Sequence, residues 1–232
     1  MLKKLIKTMA MGVATLALAI GTMPVSAFAD SGRIVTIGAD LTDSQKATVL
    51  DFFGLSESDL ENMQVITVNN QDERAYLEGT VSDAVIGTQT LSCSYIEPTT
   101  SGGINVETAN LTYVTKNTLY NALQTAGIEN CNLVVTAPYK VSGTGALTGI
   151  FKAYEANGKT LDDDKKEAAT QEMVDTAKLE NTYGEGAAQV IGDVKDQVVS
   201  SGKDMTDDQI RDIIKTAAKA KGIDLLTWQF TR

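Results

Sequence analysis

Two cysteines are the residues whose type and spacing most readily suggest covalent chemistry. They are Cys93 and Cys131, 38 positions apart. In an oxidising compartment an even cysteine count favours a disulfide, and closing a loop of this length would contribute about 3–4 kcal/mol in the chain-entropy model. The alternative is two separate buried thiols, because spacing alone does not place the two Cα atoms within reach of each other.

The chain contains no histidine. This excludes Ser-His-Asp and Cys-His catalysis, histidine-ligated zinc and a histidine general base. Two cysteines are also too few for a four-cysteine metal site. From spacing alone we therefore assign no catalytic residue, no cofactor and no metal ligand.

Carboxylates and a serine–lysine pair are the remaining routes to hydrolysis. Asp72, Glu73 and Glu78 lie close together in the sequence, but with 30 acidic residues the sequence does not say which pair meets in the fold. Ser142 and Lys140 are near neighbours, but a spacing of two does not place them on one helix face. A histidine-free hydrolase using carboxylates or a Ser/Lys pair stays open as an alternative function.

The acidic run that begins at Asp162 invites a calcium interpretation. An EF-hand loop needs an oxygen ligand at its fifth position and glycine at its sixth. Those positions hold Lys166 and Glu167. The run is therefore predicted to be a solvated helix start and not a metal site.

Two glycines, Gly143 and Gly145, alternate with Ser142 and Thr144 in a loop between a predicted strand and a predicted helix. A glycine-bearing loop that enters a helix can hold an anion on its free backbone amides. This loop lacks the Lys-Ser/Thr end of a nucleotide-binding loop. It is a candidate ligand site, and the alternative is a junction with a threonine cap and tight helix packing.

The first 29 residues have the three parts of a secretory signal peptide. A lysine-rich start precedes an apolar stretch at 9–20, and a small-x-small site ends at Ala29. We predict cleavage between Ala29 and Asp30. The apolar stretch is shorter than the roughly 20 residues that a spanning helix needs, so we expect no transmembrane span in the mature chain.

Cleavage would make the protein more acidic. It removes three lysines and no acidic residue, so 17 basic and 30 acidic residues remain and the net charge falls from −10 to −13. A nucleic acid or an anionic lipid surface requires a basic face to displace counterions. We therefore expect no nucleic-acid partner, and the acidity itself serves solubility.

The elements that must position these residues divide near residue 143. Short β-rich runs alternate with short helices before this point, and every stretch after it reads as helix. We predict an α+β protein with an N-terminal mixed sheet and short helices at 30–142, followed by an all-helical C-terminal domain at 143–232. Residues 1–29 are the signal peptide.

Local patterns predict individual elements of the sheet-containing part. Thr42 with Gln45 has the spacing of a capping box, and Asn69 is placed to cap a second helix. The run at 131–137 is apolar without alternation, which is typical of a strand covered on both faces. A polar, glycine-rich loop at 98–103 predicts a hairpin between the strands at 88–96 and 104–114. Further strands are predicted at 33–37 and 63–68, and a helix at 117–126.

Helices are predicted over the rest of the chain from apolar residues at helical spacing. The last two each carry enough apolar residues on one side to need a partner. Thr206 with Gln209 repeats the helix-start chemistry of Thr42 with Gln45. The predicted ranges are 144–157, 160–179, 186–199 and 206–221.

Four segments of this sequence resemble the YpuA-like family, exported proteins of Gram-positive (Firmicute) bacteria that are grouped as a domain of unknown function. The segments are 35–42, 73–79, 110–127 and 134–149, of which 137–149 is the most distinctive. The resemblance covers nearly the whole mature chain. It implies a secreted or envelope location and supplies no reaction, ligand or catalytic residue.

These observations favour an extracytoplasmic, non-catalytic binding or interaction module at the Gram-positive cell envelope. The expectation depends on the export signal, the missing histidine and the lack of a catalytic spacing. The expected partner is an envelope component or protein that the sequence does not identify.

Overall fold

A computed structural model describes residues 32–125, 128, 130–156, 163–184, 186–201 and 205–223. Three sequence predictions lie outside the described residues. They are the signal peptide with its cleavage site at Ala29 and Asp30, the helix start at Thr160, and the side chains of the acidic run that begins at Asp162.

Five strands form one mixed sheet in the order β2-β1-β3-β5-β4. Their bounds are Ile34–Gly38 for β1, Gln64–Val68 for β2, Cys93–Pro98 for β3, Ile104–Thr108 for β4 and Cys131–Thr136 for β5. β1 pairs in parallel with β2, and β4 pairs in parallel with β5, while β3 runs antiparallel to both of its neighbours. Strands β1, β2, β4 and β5 therefore all point the same way, which confirms the predicted mixed sheet.

Eight α-helices and one 3-10 helix accompany the sheet in the described part of the chain. The α-helices are α1 Asp43–Phe53, α2 Asn70–Leu77, α3 Asp83–Ile86, α4 Lys116–Thr125, α5 Thr144–Ala156, α6 Asp163–Tyr183, α7 Gly186–Ser201 and α8 Asp207–Ala220. The 3-10 helix spans Glu57–Asn62. Every described element after β5 is helical, so the predicted α+β class is confirmed. No helix in the described ranges combines the length and the hydropathy that crossing a membrane requires.

The predicted helix starts are correct because their chemistry is local. The Thr42 side chain accepts a hydrogen bond from the backbone amide of Gln45. The Thr42 backbone amide in turn donates to the side-chain oxygen of Gln45. Thr206 and Gln209 make the same reciprocal pair at the start of α8. Such caps satisfy amides that the first helical turn leaves without a partner.

The predicted hairpin between β3 and β4 is wrong. β5 lies between the two strands and is hydrogen-bonded to both. Its run Leu133-Val134-Val135 is apolar on both faces of the strand. A place inside the sheet gives the backbone of β5 a hydrogen-bonding strand on each side. β4 instead reaches β5 through the helical crossover that contains α4, as parallel pairing requires.

The two faces of the sheet carry different hydrophobic clusters, as the alternation of strand side chains requires. One face contributes Ile34, Ile96 and Leu133 to a cluster that includes residues of α4, α5 and α6. The other face contributes residues such as Val35 and Cys93 to a smaller cluster, which α1 covers.

The predicted disulfide is not formed, because Cys93 and Cys131 are free, buried thiols. Cys93 begins β3, whereas Cys131 pairs with Pro98 at the other end of that strand. Five residue steps along a strand separate the two positions by about 17 Å, and a disulfide spans at most about 7 Å between Cα atoms. The two thiols also lie in the clusters of opposite faces. The alternative of two separate buried thiols is the one the structure has.

The predicted boundary at residue 143 marks where strands end, but the hydrophobic core crosses it. Leu147 and Phe151 of α5 and Met173 of α6 lie in the same cluster as the strands. A second cluster is confined to α7, α8 and their flanking residues. Helices α5 and α6 thus complete the sheet layer, whereas α8 packs on α7, and α7 also contacts α6 and α4.

Candidate binding site at the carboxyl edge of the sheet

The carboxyl ends of β1, β2, β4 and β5 meet at one edge of the sheet, since these four strands are parallel. The chain that follows each of them, and the segment that enters β3, therefore cluster there. Ligands of open α/β sheets bind outside the carboxyl ends of the strands. We call this region the carboxyl edge. It includes the predicted loop Ser142–Gly145 and the carboxylate Glu73.

Glu73 is the central buried polar group of the carboxyl edge, with 1% of its surface exposed. Its Oε2 accepts hydrogen bonds from Thr90 Oγ1 at 2.5 Å and from Asn70 Nδ2 at 3.3 Å. Its Oε1 accepts one from Thr144 Oγ1 at 2.7 Å. Three elements, α2, the segment before β3 and the start of α5, are thereby joined at one carboxylate.

The environment of Glu73 raises the pKa of its carboxyl. Burial is the main cause, because it disfavours the charged form, and the nearby Asp40 carboxylate acts in the same direction. The hydrogen bonds from Thr90, Thr144 and Asn70 partly oppose this shift. Glu73 is therefore a carboxyl whose ionisation is coupled to the packing of the site.

The neighbouring carboxylate Asp72 has the opposite shift. Burial disfavours its charged form, but the backbone amide of Asn69 and the Lys152 ammonium outweigh that effect and lower its pKa. Lys152 Nζ lies 2.8 Å from Asp72 Oδ2 and also donates to the carbonyl of Thr67 at 3.1 Å. Asp72 is thus a structural ion pair that ties α5 to α2 and the end of β2.

The predicted loop places its four residues in this same cluster. Ser142 Oγ lies 3.0 Å from Thr144 Oγ1. Gly143 has a φ of +95°, a left-handed conformation that favours glycine. The backbone amide of Ala146 donates to Ser92 Oγ at 2.9 Å, so a side chain of the protein already occupies one of the amides at the start of α5.

Gly145 lets α5 approach the segment before β3 closely. A Cβ atom at this position would lie 2.5 Å from Thr90 Cγ2 and 3.3 Å from Glu73 Oε1. The carboxylate of Glu73 thus takes the place near the helix start where an external anion would bind. We conclude that protein groups fill the start of α5 and leave no free anion site there.

Above this buried layer the carboxyl edge carries exposed groups that a ligand can reach. Asp40, which accepts from the Thr90 amide at 2.7 Å, is exposed, and Tyr139 is 49% exposed. Lys140 and Asn110 are exposed as well, and Asn110 Nδ2 donates to the carbonyl of Ala137 at 2.8 Å. An exposed aromatic ring beside hydrogen-bonding groups is suited to binding a polar ligand.

No cluster of three or more cysteine, aspartate or glutamate side chains with the spacing of a metal site occurs within the described ranges. The carboxylates discussed above have protein donors instead.

A second buried polar cluster, which the sequence analysis missed, joins α4, α6 and α7. Lys195 Nζ lies 2.5 Å from Glu172 Oε1, donates to Thr125 Oγ1 at 2.6 Å and donates to the Asn121 carbonyl at 2.9 Å. Burial lowers the pKa of Lys195, while Glu172 opposes this shift. A lysine among the apolar residues of α7 was the signal in the sequence that pointed to such a pair.

Thr125 and Lys195 bring a hydroxyl into contact with an amine, as a histidine-free hydrolase would. The direction of their hydrogen bonds, however, differs from the one that catalysis needs. The Thr125 hydroxyl donates to Glu172, and the lysine donates to Thr125. A lysine acting as general base would accept the hydroxyl proton instead. Both residues are buried, so this cluster is an ion pair that connects helices.

The sequence of this chain is similar to those of known proteins. The family described as "Protein of unknown function (DUF1002)" matches residues 37–231. The "Uncharacterized protein YpuA" of Bacillus subtilis (strain 168) is 41% identical over 172 residues, which are 73% of this chain and 58% of that protein. The chain thus spans less than two thirds of this relative's length. No solved structure matches the chain.

Proposed function

This chain belongs to the DUF1002 family, and from that premise we propose that it is an exported binding module of the cell envelope whose ligand site is the carboxyl edge. The observation that carries the proposal is the meeting of four strand ends at one edge of the sheet, where the segment after β5 carries the exposed Tyr139 and a buried, hydrogen-bonded layer surrounds Glu73. The resemblance predicted from the sequence is confirmed by the same family match.

The buried layer supports binding because it holds the edge in one shape. Glu73 joins Thr90 and Thr144 from separate segments, and the Thr90 amide binds Asp40, so the segment that carries Asp40 is fixed before a ligand arrives. A preorganised site loses little conformational entropy when it binds. The exposed groups of the edge, Asp40, Tyr139 and Asn110, can hydrogen-bond the hydroxyl and amide groups of envelope glycans and peptides.

Export is part of the proposal and is supported by the order of the N-terminal features and by the acidic mature chain. The test is N-terminal sequencing of protein recovered from culture supernatant or from the cell wall. We expect the chain to begin at Asp30. A cytosolic protein that begins at Met1 would contradict the export proposal without bearing on the carboxyl edge.

Photo-crosslinking in living cells tests the ligand site. A photoreactive amino acid at position 139 is expected to give a discrete adduct with an envelope component. The matched control carries the same group at position 219, where the exposed Lys219 lies on α8 away from the sheet. Equal labelling at both positions, or none at 139, would contradict the proposed site.

A second candidate function is a histidine-free hydrolase with Asp40 and Glu73 as its carboxylate pair. It is favoured by the raised pKa of Glu73, which burial and the nearby Asp40 carboxylate cause, because a general acid must keep its proton. Purified peptidoglycan incubated with the mature protein distinguishes the two functions. A binding module should sediment with the polymer and release nothing, whereas a hydrolase should release soluble fragments that Glu73→Gln abolishes.

A further inference from the structure

Helices α7 and α8 have a hydrophobic core of their own. Val190, Val194 and Val198 of α7 pack with Ile210 and Ile214 of α8. No residue of these two helices belongs to the cluster that contains the sheet, α4, α5 and α6, among the residues that the structure describes. We call α7 and α8 together the C-terminal arm.

The C-terminal arm contacts the rest of the molecule through α7. Buried charged and amide side chains form hydrogen bonds across this contact. Lys195 of α7 binds Glu172 of α6, and it also binds Thr125 and the Asn121 carbonyl of α4. Asn121 Nδ2 donates to the carbonyl of Ala188 at 3.2 Å. We call this contact between α7 and the pair α4 and α6 the polar seam.

Small residues let the polar seam close tightly. A Cβ atom on Gly192 would lie 3.1 Å from Asn121 Oδ1, so α7 approaches α4 at a position where a larger residue would disturb the amide. Asn121 and Lys195 are 2% and 6% exposed, respectively. Buried polar contacts of this kind hold only in one register, because a shifted helix would leave charged and amide groups without partners.

From these observations we propose that the C-terminal arm is a two-state element, which detaches from α4 and α6 as a unit while the sheet and its helices stay folded, and that the Lys195–Glu172 pair holds it in the closed state. The arm keeps its own core when it detaches, since the second cluster needs no residue of α4 or α6. Opening exposes the polar groups of the seam together with the buried apolar side chains of Ala188 and Ile191, but it leaves the larger cluster around the sheet buried, so it costs less than unfolding the whole chain.

Native-state hydrogen exchange of the unmodified mature protein tests the two-state element directly. Backbone amides of α7 and α8 should share one opening free energy that is smaller than that of the amides in β1, β3 and β5. Their opening should also depend less steeply on denaturant, because less surface becomes exposed. A common opening free energy and a common denaturant dependence for the arm and the sheet would overturn the proposal.

Substitution of Lys195 tests the role of the pair. Lys195→Met leaves the Glu172 carboxylate buried without its cation and should accelerate exchange in α7 and α8 by at least about tenfold, with β5 unchanged. Lys215→Met is the matched control, because Lys215 on α8 pairs with Asp212 at the surface with 57% of its side chain exposed. The control should change exchange by less than about twofold.

The double variant Lys195→Met, Glu172→Gln separates the ion pair from general damage to packing. Removing both charges leaves no unpaired buried ion, so exchange in the arm should return towards that of the unmodified protein. Equal acceleration in the single and the double variant would overturn the role of the pair. Acceleration of arm and sheet amides alike in Lys195→Met would overturn the separate opening of the arm.

Discussion

Thr144 donates a hydrogen bond to Glu73 over 2.7 Å, although 71 positions of sequence separate the two residues. The contact fastens the start of α5 to α2 at the carboxyl edge. Thr90 makes the equivalent bond to the other carboxylate oxygen, so one buried side chain holds two hydroxyl donors from different segments. The stability of this arrangement must depend on which form of Glu73 is present.

The raised pKa of Glu73 gives a prediction for pH dependence. The folded state favours the protonated form, so the wild-type protein should lose stability relative to Glu73→Gln as the pH rises from the ordinary value of 4.5 through the raised pKa. Urea unfolding of both proteins at several pH values between about 4 and 8 measures this difference. Parallel curves for the two proteins would contradict a raised pKa at Glu73.

Glu73→Ala tests the hydrogen bonds themselves. It leaves the buried hydroxyls of Thr90 and Thr144 without their acceptor and opens a cavity, so we expect a loss of about 2–4 kcal/mol in the free energy of unfolding at pH 7. Glu73→Gln keeps the shape and should cost less. A Glu73→Ala protein as stable as the wild type would show that these hydrogen bonds contribute little.

Helix capping gives a third prediction. Thr42→Ala and Thr206→Ala each remove the side chain that accepts the N3 amide of α1 or α8, and each should cost about 1 kcal/mol of unfolding free energy. Thr216→Ala is the control, because Thr216 lies inside α8 and only bonds back to the Asp212 carbonyl. If thermal or urea unfolding shows that Thr216→Ala loses as much stability as the two cap variants, the prediction is wrong.

These caps also show which parts of the fold the sequence predicts well. Thr42 and Gln45 are three residues apart, so their contact is decided by the local chain, and the same is true of Thr206 and Gln209. The polar, glycine-rich loop before β4 permits a hairpin equally well, but the order of strands is decided by distant segments. β5 lies between β3 and β4 although a helix separates it from β4 in the sequence, and no local pattern records that arrangement.

The candidate site was predictable to a similar extent. The glycine-bearing loop at 142–145 and the carboxylate at 73 were both recognised as chemical features, yet nothing in the sequence joins Thr144 to Glu73. The pair of Lys195 and Glu172 was missed because the acidic composition offers many partners to every lysine. Which charges meet is a property of helix packing, and single-sequence patterns do not contain it.

The two thiols give a fourth prediction. Burial raises the pKa of Cys93 to about 12 and of Cys131 to about 11, so neither forms much thiolate near neutral pH. Iodoacetamide at pH 8 should leave the folded protein unlabelled and should add two groups per chain in denaturant without reductant. Mass spectrometry counts the groups, and an unfolded, unreduced chain without label would indicate a disulfide after all.

Gly149 gives the last prediction, because α5 lies so close to β1 that a side chain does not fit between them. A Cβ atom at this position would lie 2.5 Å from Thr36 Oγ1 and 2.7 Å from Thr36 Cβ. Alanine would gain about 1 kcal/mol of helix propensity, but the contact with the strand forces α5 away from the sheet and disturbs the Thr36–Ser94 hydrogen bond of 2.6 Å. We therefore expect Gly149→Ala to lower the free energy of unfolding by about 1–3 kcal/mol.

Gly186→Ala is the matched control at the start of α7, where the nearest atom would lie 3.5 Å away, and it should be neutral or stabilising. Urea unfolding decides between them, since a stable Gly149→Ala protein would mean that helix α5 and the sheet are not in the close contact on which the carboxyl edge depends.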